Sequence, residues 1–84
     1  MIRIRSVQPL EGFCVQLAFT DGTVGELDLT PYLRGSVFEP VVRDRTLFEG
    51  VRVDPELETI VWPNGADMDP DVLYDLTHRA TATK

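Results

Sequence analysis

The sequence is poor in the residues from which active sites are most often built. It has one cysteine, Cys14, and one histidine, His78. One thiol excludes an internal disulfide, and the composition suits a reducing cytoplasm. Zinc held by paired Cys and His ligands is excluded by residue count. Catalysis by Cys14 or His78 needs an oriented partner, and no local signature surrounds either residue. They read as a small strand residue and a cation near a helix C-terminus. No stretch approaches the roughly 18 uninterrupted apolar residues of a membrane span. The opening Met-Ile-Arg-Ile-Arg-Ser alternates apolar and basic and has no signal-peptide core. Positive charge is scarce too: eight Lys+Arg stand against fourteen Asp+Glu, for a net charge of -6. Such a chain repels phosphate backbones, so no nucleic-acid partner and no membrane partner are expected. The six glycines form neither a phosphate loop nor a dinucleotide fingerprint. No cofactor is expected.

What is present is an ordinary globular composition. With 84 residues, 43% of them hydrophobic, the chain has room for one domain. That domain is expected over residues 1–80, with a frayed tail at 81–84.

Turn signals divide the first thirty residues. Pro9-Leu10-Glu11-Gly12 suits a four-residue hairpin loop, which sets Ile2 against Phe19, Ile4 against Leu17 and Ser6 against Val15. Arg3, Arg5 and Val7 then share the other face. At Thr20-Asp21-Gly22 a two-residue turn puts carboxylates on the core face. A three-residue loop with Gly22 left-handed instead pairs Leu17 with Gly25, Val15 with Leu27 and Phe13 with Leu29. Burial decides for the second. Residues 2–8, 13–19 and 23–29 become an antiparallel meander, with 2–8 the best edge for pairing into a homodimer.

Thr30-Pro31 reads as an N-cap followed by Pro at the first helical position, ended by Gly35. Val37 to Val42 is a short helical candidate weakened by Pro40, and Leu47 and Phe48 read as apolar plugs between loops. A four-residue loop from Pro55 to Glu58 pairs Val53 with Ile60 and Val51 with Trp62 on one apolar face. It requires Glu58 to be left-handed, where Gly or Asn is usual. Asp69 then caps a C-terminal helix, with Pro70 first and Val72, Leu73, Leu76 and Ala80 as its apolar stripe. The expected fold is α+β: a three-stranded antiparallel meander plus a β-hairpin, with short helices and a C-terminal helix.

Charge is uneven. Residues 1–53 carry -1 and residues 54–84 carry -5. Asp67, Asp69 and Asp71 resemble the opening of a calcium loop, but Val72 and His78 occupy the places where that loop needs Gly and Glu. Trp62-Pro63-Asn64-Gly65-Ala66-Asp67 is the most distinctive string. Trp62 reads first as the largest core side chain and second as an interface residue with its edge beside the acids. Trp62, Asn64, Asp67, Asp69 and Asp71 are therefore the candidate partner-binding residues; no catalytic or metal residue is expected.

These residues resemble the bacterial family called domain of unknown function 2442. The resemblance rests on Phe19 to Pro31, Phe48, Val51-Arg52-Val53-Asp54, the string Ile60 to Asp67, and Pro70-Asp71-Val72-Leu73-Tyr74. It covers about residues 3 to 75. It implies a small α+β domain, found in some longer proteins ahead of a helix-turn-helix domain and often encoded beside a toxin-like protein. No catalytic residues come with it. The chain departs from the family pattern at Glu58 and shows no helix-turn-helix segment, so direct DNA binding is not implied. The expected role is a small acidic, non-enzymatic binding or regulatory module for a basic protein in the cytoplasm. The alternative is a metal-dependent enzyme using Asp67, Asp69 and Asp71.

Overall fold

The computed structural model describes residues 2–82. Strands β1 (Ile4–Pro9), β2 (Cys14–Phe19) and β3 (Val24–Asp28) form an antiparallel sheet in the order β1-β2-β3. A 3-10 turn (Thr30–Tyr32) and helices α1 (Glu39–Arg43) and α2 (Arg45–Glu49) follow. A hairpin of β4 (Arg52–Val53) and β5 (Ile60–Val61) and a terminal helix α3 (Pro70–Ala82) complete the α+β fold. Of the tail expected at 81–84, residues 81 and 82 belong to α3 and the rest lie outside the described residues.

The β2–β3 register is the one that burial demanded. Val15 faces Leu27 and Leu17 faces Gly25, and Gly22 closes the loop at φ 93°. Val15, Leu17, Phe19 and Leu27 all enter the core. The β1–β2 register differs from expectation. Pro9 belongs to the strand, opposite Val15, and Leu10 N–H donates to Cys14 O at 2.8 Å to close the loop. A bulge between Ile4 and Ser6 then resets the side-chain parity. Ile4 faces Phe19 and Val7 faces Leu17, so two residues three apart reach the same apolar side while Ser6 turns to solvent. The cause is tertiary. The Arg45 guanidinium donates to Leu10 O at 2.6 Å and to Gly12 O, holding the loop from a distant helix.

Several local readings change for similar reasons. Thr30 does not cap its turn; its N–H and hydroxyl both donate to the Asp28 carboxylate, at 2.9 and 2.7 Å. Pro40 sits in the first turn of α1, where a missing N–H costs nothing. Leu47 and Phe48 are helical, because Asp44 caps α2 by accepting Thr46 N–H at 3.0 Å. Phe48 is fully buried.

In the second hairpin Val53 faces Ile60, and Glu58 has φ 57°, the only positive φ outside glycine among the described residues. The Asp54 carboxylate accepts the N–H groups of Glu56 and Leu57 at 2.8 and 3.0 Å. Glu58 N–H donates to Asp54 O at 2.7 Å. The expected single apolar face is incomplete as a description. Val61 is buried along with Ile60 and Trp62, so both sides of β5 are covered, while Val53 is half-buried. The hairpin meets the meander where Ile4 N–H donates to Glu58 O at 3.1 Å. That contact covers the start of β1, so among the described residues β3 is the more open edge, rather than residues 2–8.

Helix α3 packs on β3, and its Tyr74 ring meets Phe19 of β2 edge-on. Asp69 caps it as expected, accepting Asp71 N–H at 2.8 Å. Leu73 and Thr77 are its buried residues, with Tyr74 and Leu76 half-buried; Val72, expected in the apolar stripe, is 49% exposed. Ala80 lies outside the described side chains. Thr77 fits because Gly25 has no side chain: a Cβ there would lie 2.6 Å from Thr77 Cγ2. Its hydroxyl donates to Leu73 O at 2.8 Å, which removes the cost of burying it.

Candidate functional site

The string from Trp62 to Asp71 leaves β5, reverses, and enters α3. Trp62 is 1% exposed and stacks edge-on to Phe38, with ring centroids 5.7 Å apart. Its Nε1–H donates to Phe48 O at 3.2 Å. It is a core side chain and presents no edge to the surface, so its place among the partner-binding candidates is withdrawn. Asn64 is exposed but structural in its bonds. Its Nδ2 donates to Val37 O at 2.9 Å, and its Oδ1 accepts Ala66 N–H at 3.3 Å, tying the reversal to the segment before α1.

Asp67 and Asp69 come together at the surface. With Leu57, Thr59, Met68 and Pro70 they line an open depression of about 320 Å³. Leu57, at the tip of the second hairpin, is 49% exposed, and Met68 is half-buried. Thr59 is buried beneath them and donates its hydroxyl to Met68 O at 2.6 Å, which fixes one wall. Asp71 is exposed in the first turn of α3 and is not among the lining residues. Asp67, Asp69 and Asp71 take part in no ion pair among the described residues. Apolar walls with a carboxylate rim match the aliphatic stem and cationic head of Lys or Arg. Among the described residues no three His, Cys, Asp or Glu side chains converge there or elsewhere.

The other reactive groups are engaged elsewhere. Burial pushes the Cys14 thiol up, and the Asp28, Glu26 and Glu11 carboxylates push it the same way. That is the opposite of what an activated nucleophile needs. The Tyr74 hydroxyl donates to Asp21 Oδ2 at 2.6 Å, which holds the Asp21 carboxyl below its ordinary range and raises the phenol. His78 lies against the Tyr74 ring, with centroids 4.3 Å apart. The acids of the depression are visible in the sequence, but its walls are not. An apolar Leu57 set among acids in a hairpin loop was the available signal.

The family described as "Protein of unknown function (DUF2442)" matches residues 4–79. No curated protein is significantly similar. Among solved structures, the crystal structure of Putative DNA Binding Protein NE0471 from Nitrosomonas europaea superposes with a TM-score of 0.84 at 18% identity. The match covers 98% of this chain and 52% of that one, so this chain spans about half its length. At that identity the likeness is one of fold. The expectation of no nucleic-acid partner is corrected on one point: a longer protein that contains this fold is described as a "Putative DNA Binding Protein". That expectation rested on net charge, which averages over one chain and says nothing about a longer protein or an assembly that contains the same fold. No helix among the described residues is long and apolar enough to cross a membrane.

Proposed function

The chain belongs to the DUF2442 family, and from that premise we propose that it is a non-enzymatic binding domain that holds and regulates a basic, nucleic-acid-binding protein in the cytoplasm. The observation that carries this reading is the depression between the second hairpin and α3, with Asp67 and Asp69 on its rim and Leu57 exposed in its wall. The charge of -5 over residues 54–84 extends the same field and would speed encounter with a basic surface. The non-enzymatic part is supported by how the reactive groups are occupied: Asp69 caps α3, Asp21 and Tyr74 bind each other, and the Cys14 thiol is held up. An acidic domain seated on a basic protein competes with phosphates for the same surface, which is a direct means of regulation.

The test is co-expression with the product of the adjacent reading frame, followed by purification at low salt. Association lost in Asp67→Lys/Asp71→Lys supports the reading; the two proteins separating cleanly at low salt removes it. Asp69 is left in place, because its loss would uncap α3. The likeness to the Nitrosomonas protein favours a second reading, in which the domain itself contributes to DNA binding within a longer assembly. Mobility shifts separate the two. Release of DNA from the partner on adding this chain supports the first, and retardation of DNA by this chain alone at low salt supports the second.

A further inference from the structure

The two edges of the three-stranded sheet are unlike. β1 is covered at its start by the hydrogen bond from Ile4 N–H to Glu58 O, bulged between Ile4 and Ser6, and ended by Pro9, which has no N–H to offer. Covers, bulges and prolines are the usual ways of closing an edge. Among the described residues β3 has no cover, bulge or proline, and its edge is marked only by the charges of Glu26 and Asp28. At one end of the β2–β3 ladder Phe19 N–H donates to Thr23 O at 2.8 Å, and at the other Leu29 N–H donates to Phe13 O at 3.0 Å. Residues 23, 25, 27 and 29 therefore turn their backbone groups toward β2. The alternate residues Val24, Glu26 and Asp28 turn theirs outward. Among the described residues no strand or loop takes up those groups.

The side chains on the same three residues say what could pair there. Val24 is 60% exposed, and Glu26 and Asp28 are exposed and in no ion pair among the described residues. A second copy fits poorly. Two β3 strands paired antiparallel about Glu26 would set Glu26 against Glu26 and Val24 against Asp28, and like charges directly opposite are destabilising. A strand with cations at alternate positions meets both requirements at once. We infer that β3 is the docking edge for a basic, extended segment of a protein partner. The segment adds as an antiparallel fourth strand, with Lys or Arg opposite Asp28 and Glu26 and an apolar residue opposite Val24. The inference rests on the proposed function only for the basic character of the partner; it concerns a different surface from the depression.

The probe is the capped peptide Thr-Lys-Ile-Arg-Thr-Val-Thr, titrated into the isotope-labelled chain at low salt and followed by amide chemical shifts and hydrogen exchange. Docking predicts shifts and new protection at the amides of Val24, Glu26 and Asp28. N-methylation of the Lys, Arg and Val amides keeps both charges but removes the strand bonds, and is expected to weaken binding at least tenfold. Glu26→Lys/Asp28→Lys is expected to abolish binding. Asp67→Asn, at the depression, is expected to leave it unchanged. Shifts centred on Leu57 and Met68, equal binding of the N-methylated peptide, or no binding at millimolar peptide would each overturn the inference. A last arm separates it from the function. A co-expressed partner that still binds Glu26→Lys/Asp28→Lys removes the edge and leaves the function standing. A peptide that binds β3 while no partner associates does the reverse.

Discussion

Replacing Glu58 by glycine isolates one local conflict between residue and backbone. Glu58 sits at φ 57° because the four-residue loop that puts Val53 opposite Ile60 needs a left-handed residue at its end. Holding a non-glycine residue there costs about 1.5 kcal/mol. Glycine removes that strain but adds about 0.7 kcal/mol of unfolded-state entropy. The Glu58 side chain also stands 3.7 Å from Arg3, with the two side chains 47% and 35% exposed. A pair so open to water is worth about 0.3 kcal/mol. The net gain for Glu58→Gly is therefore about 0.5 kcal/mol, or about 2–4 °C in Tm for a domain of this size. Both backbone bonds of Glu58, from its N–H to Asp54 O and from Ile4 N–H to its carbonyl, survive the change. Urea denaturation should show a higher midpoint with an unchanged slope. Glu58→Ala keeps Cβ and loses the ion pair, so it should fall at or slightly below the native chain. Glu58→Asn, which tolerates the left-handed region, should lie between. A glycine variant no more stable than the native chain, or an alanine variant as stable as the glycine variant, would refute the strain argument.

Gly25→Ala should destabilise by about 1–3 kcal/mol, since the new methyl meets Thr77 Cγ2 at 2.6 Å. Adding Thr77→Ser, which keeps the hydroxyl bond to Leu73 O and removes the methyl, should recover much of the loss in a double-mutant cycle. Trp62→Phe should cost about 1–3 kcal/mol in urea titrations, because Phe48 O loses its buried donor and the core loses volume. Acid should destabilise the fold through Asp28 and Asp54. The Thr30 hydroxyl holds the first below the ordinary carboxylate range, and the Leu57 and Glu56 amides hold the second there. Folded values below unfolded ones give stability that is complete above the unfolded pKa, near 3.9, and is lost as pH falls through the lower folded values. Asp54→Asn should flatten part of that acid limb in pH-dependent melts.

Local signals were legible at the β2–β3 turn and in the second hairpin, where the turn residues and one apolar face agreed and no distant contact shifted the register. Asp21-Gly22 and the pairing of Leu17 with Gly25 follow from burial on β2 and β3 alone. Glu58 could be placed left-handed because the alternative register mixed faces. The β1 bulge was not legible, since the contacts holding that strand come from Arg45 on α2 and from the Glu58 carbonyl. Helix α3 buries Thr77 in preference to Val72 because a missing side chain at Gly25 opens room for it, a fact about another strand. For the site, the acids were visible but their partners were not. Leu57 and Asp67 belong to different elements, and only the folded hairpin brings them to one depression. The open edge of β3 was concealed in the same way, because the cover that disqualifies β1 arrives from residue 58.

The salt dependence of one binding equilibrium tests the acidic surface most directly. Calorimetric titration of this chain against the product of the adjacent reading frame should give one-to-one binding at low salt. That binding should weaken steeply by about 0.3 M salt, where charges more than a few ångströms apart no longer attract. Asp67→Lys/Asp71→Lys should remove it at either salt. No heat of binding at low salt, or an affinity indifferent to both salt and these carboxylates, would contradict the claim that the acidic surface holds a basic partner.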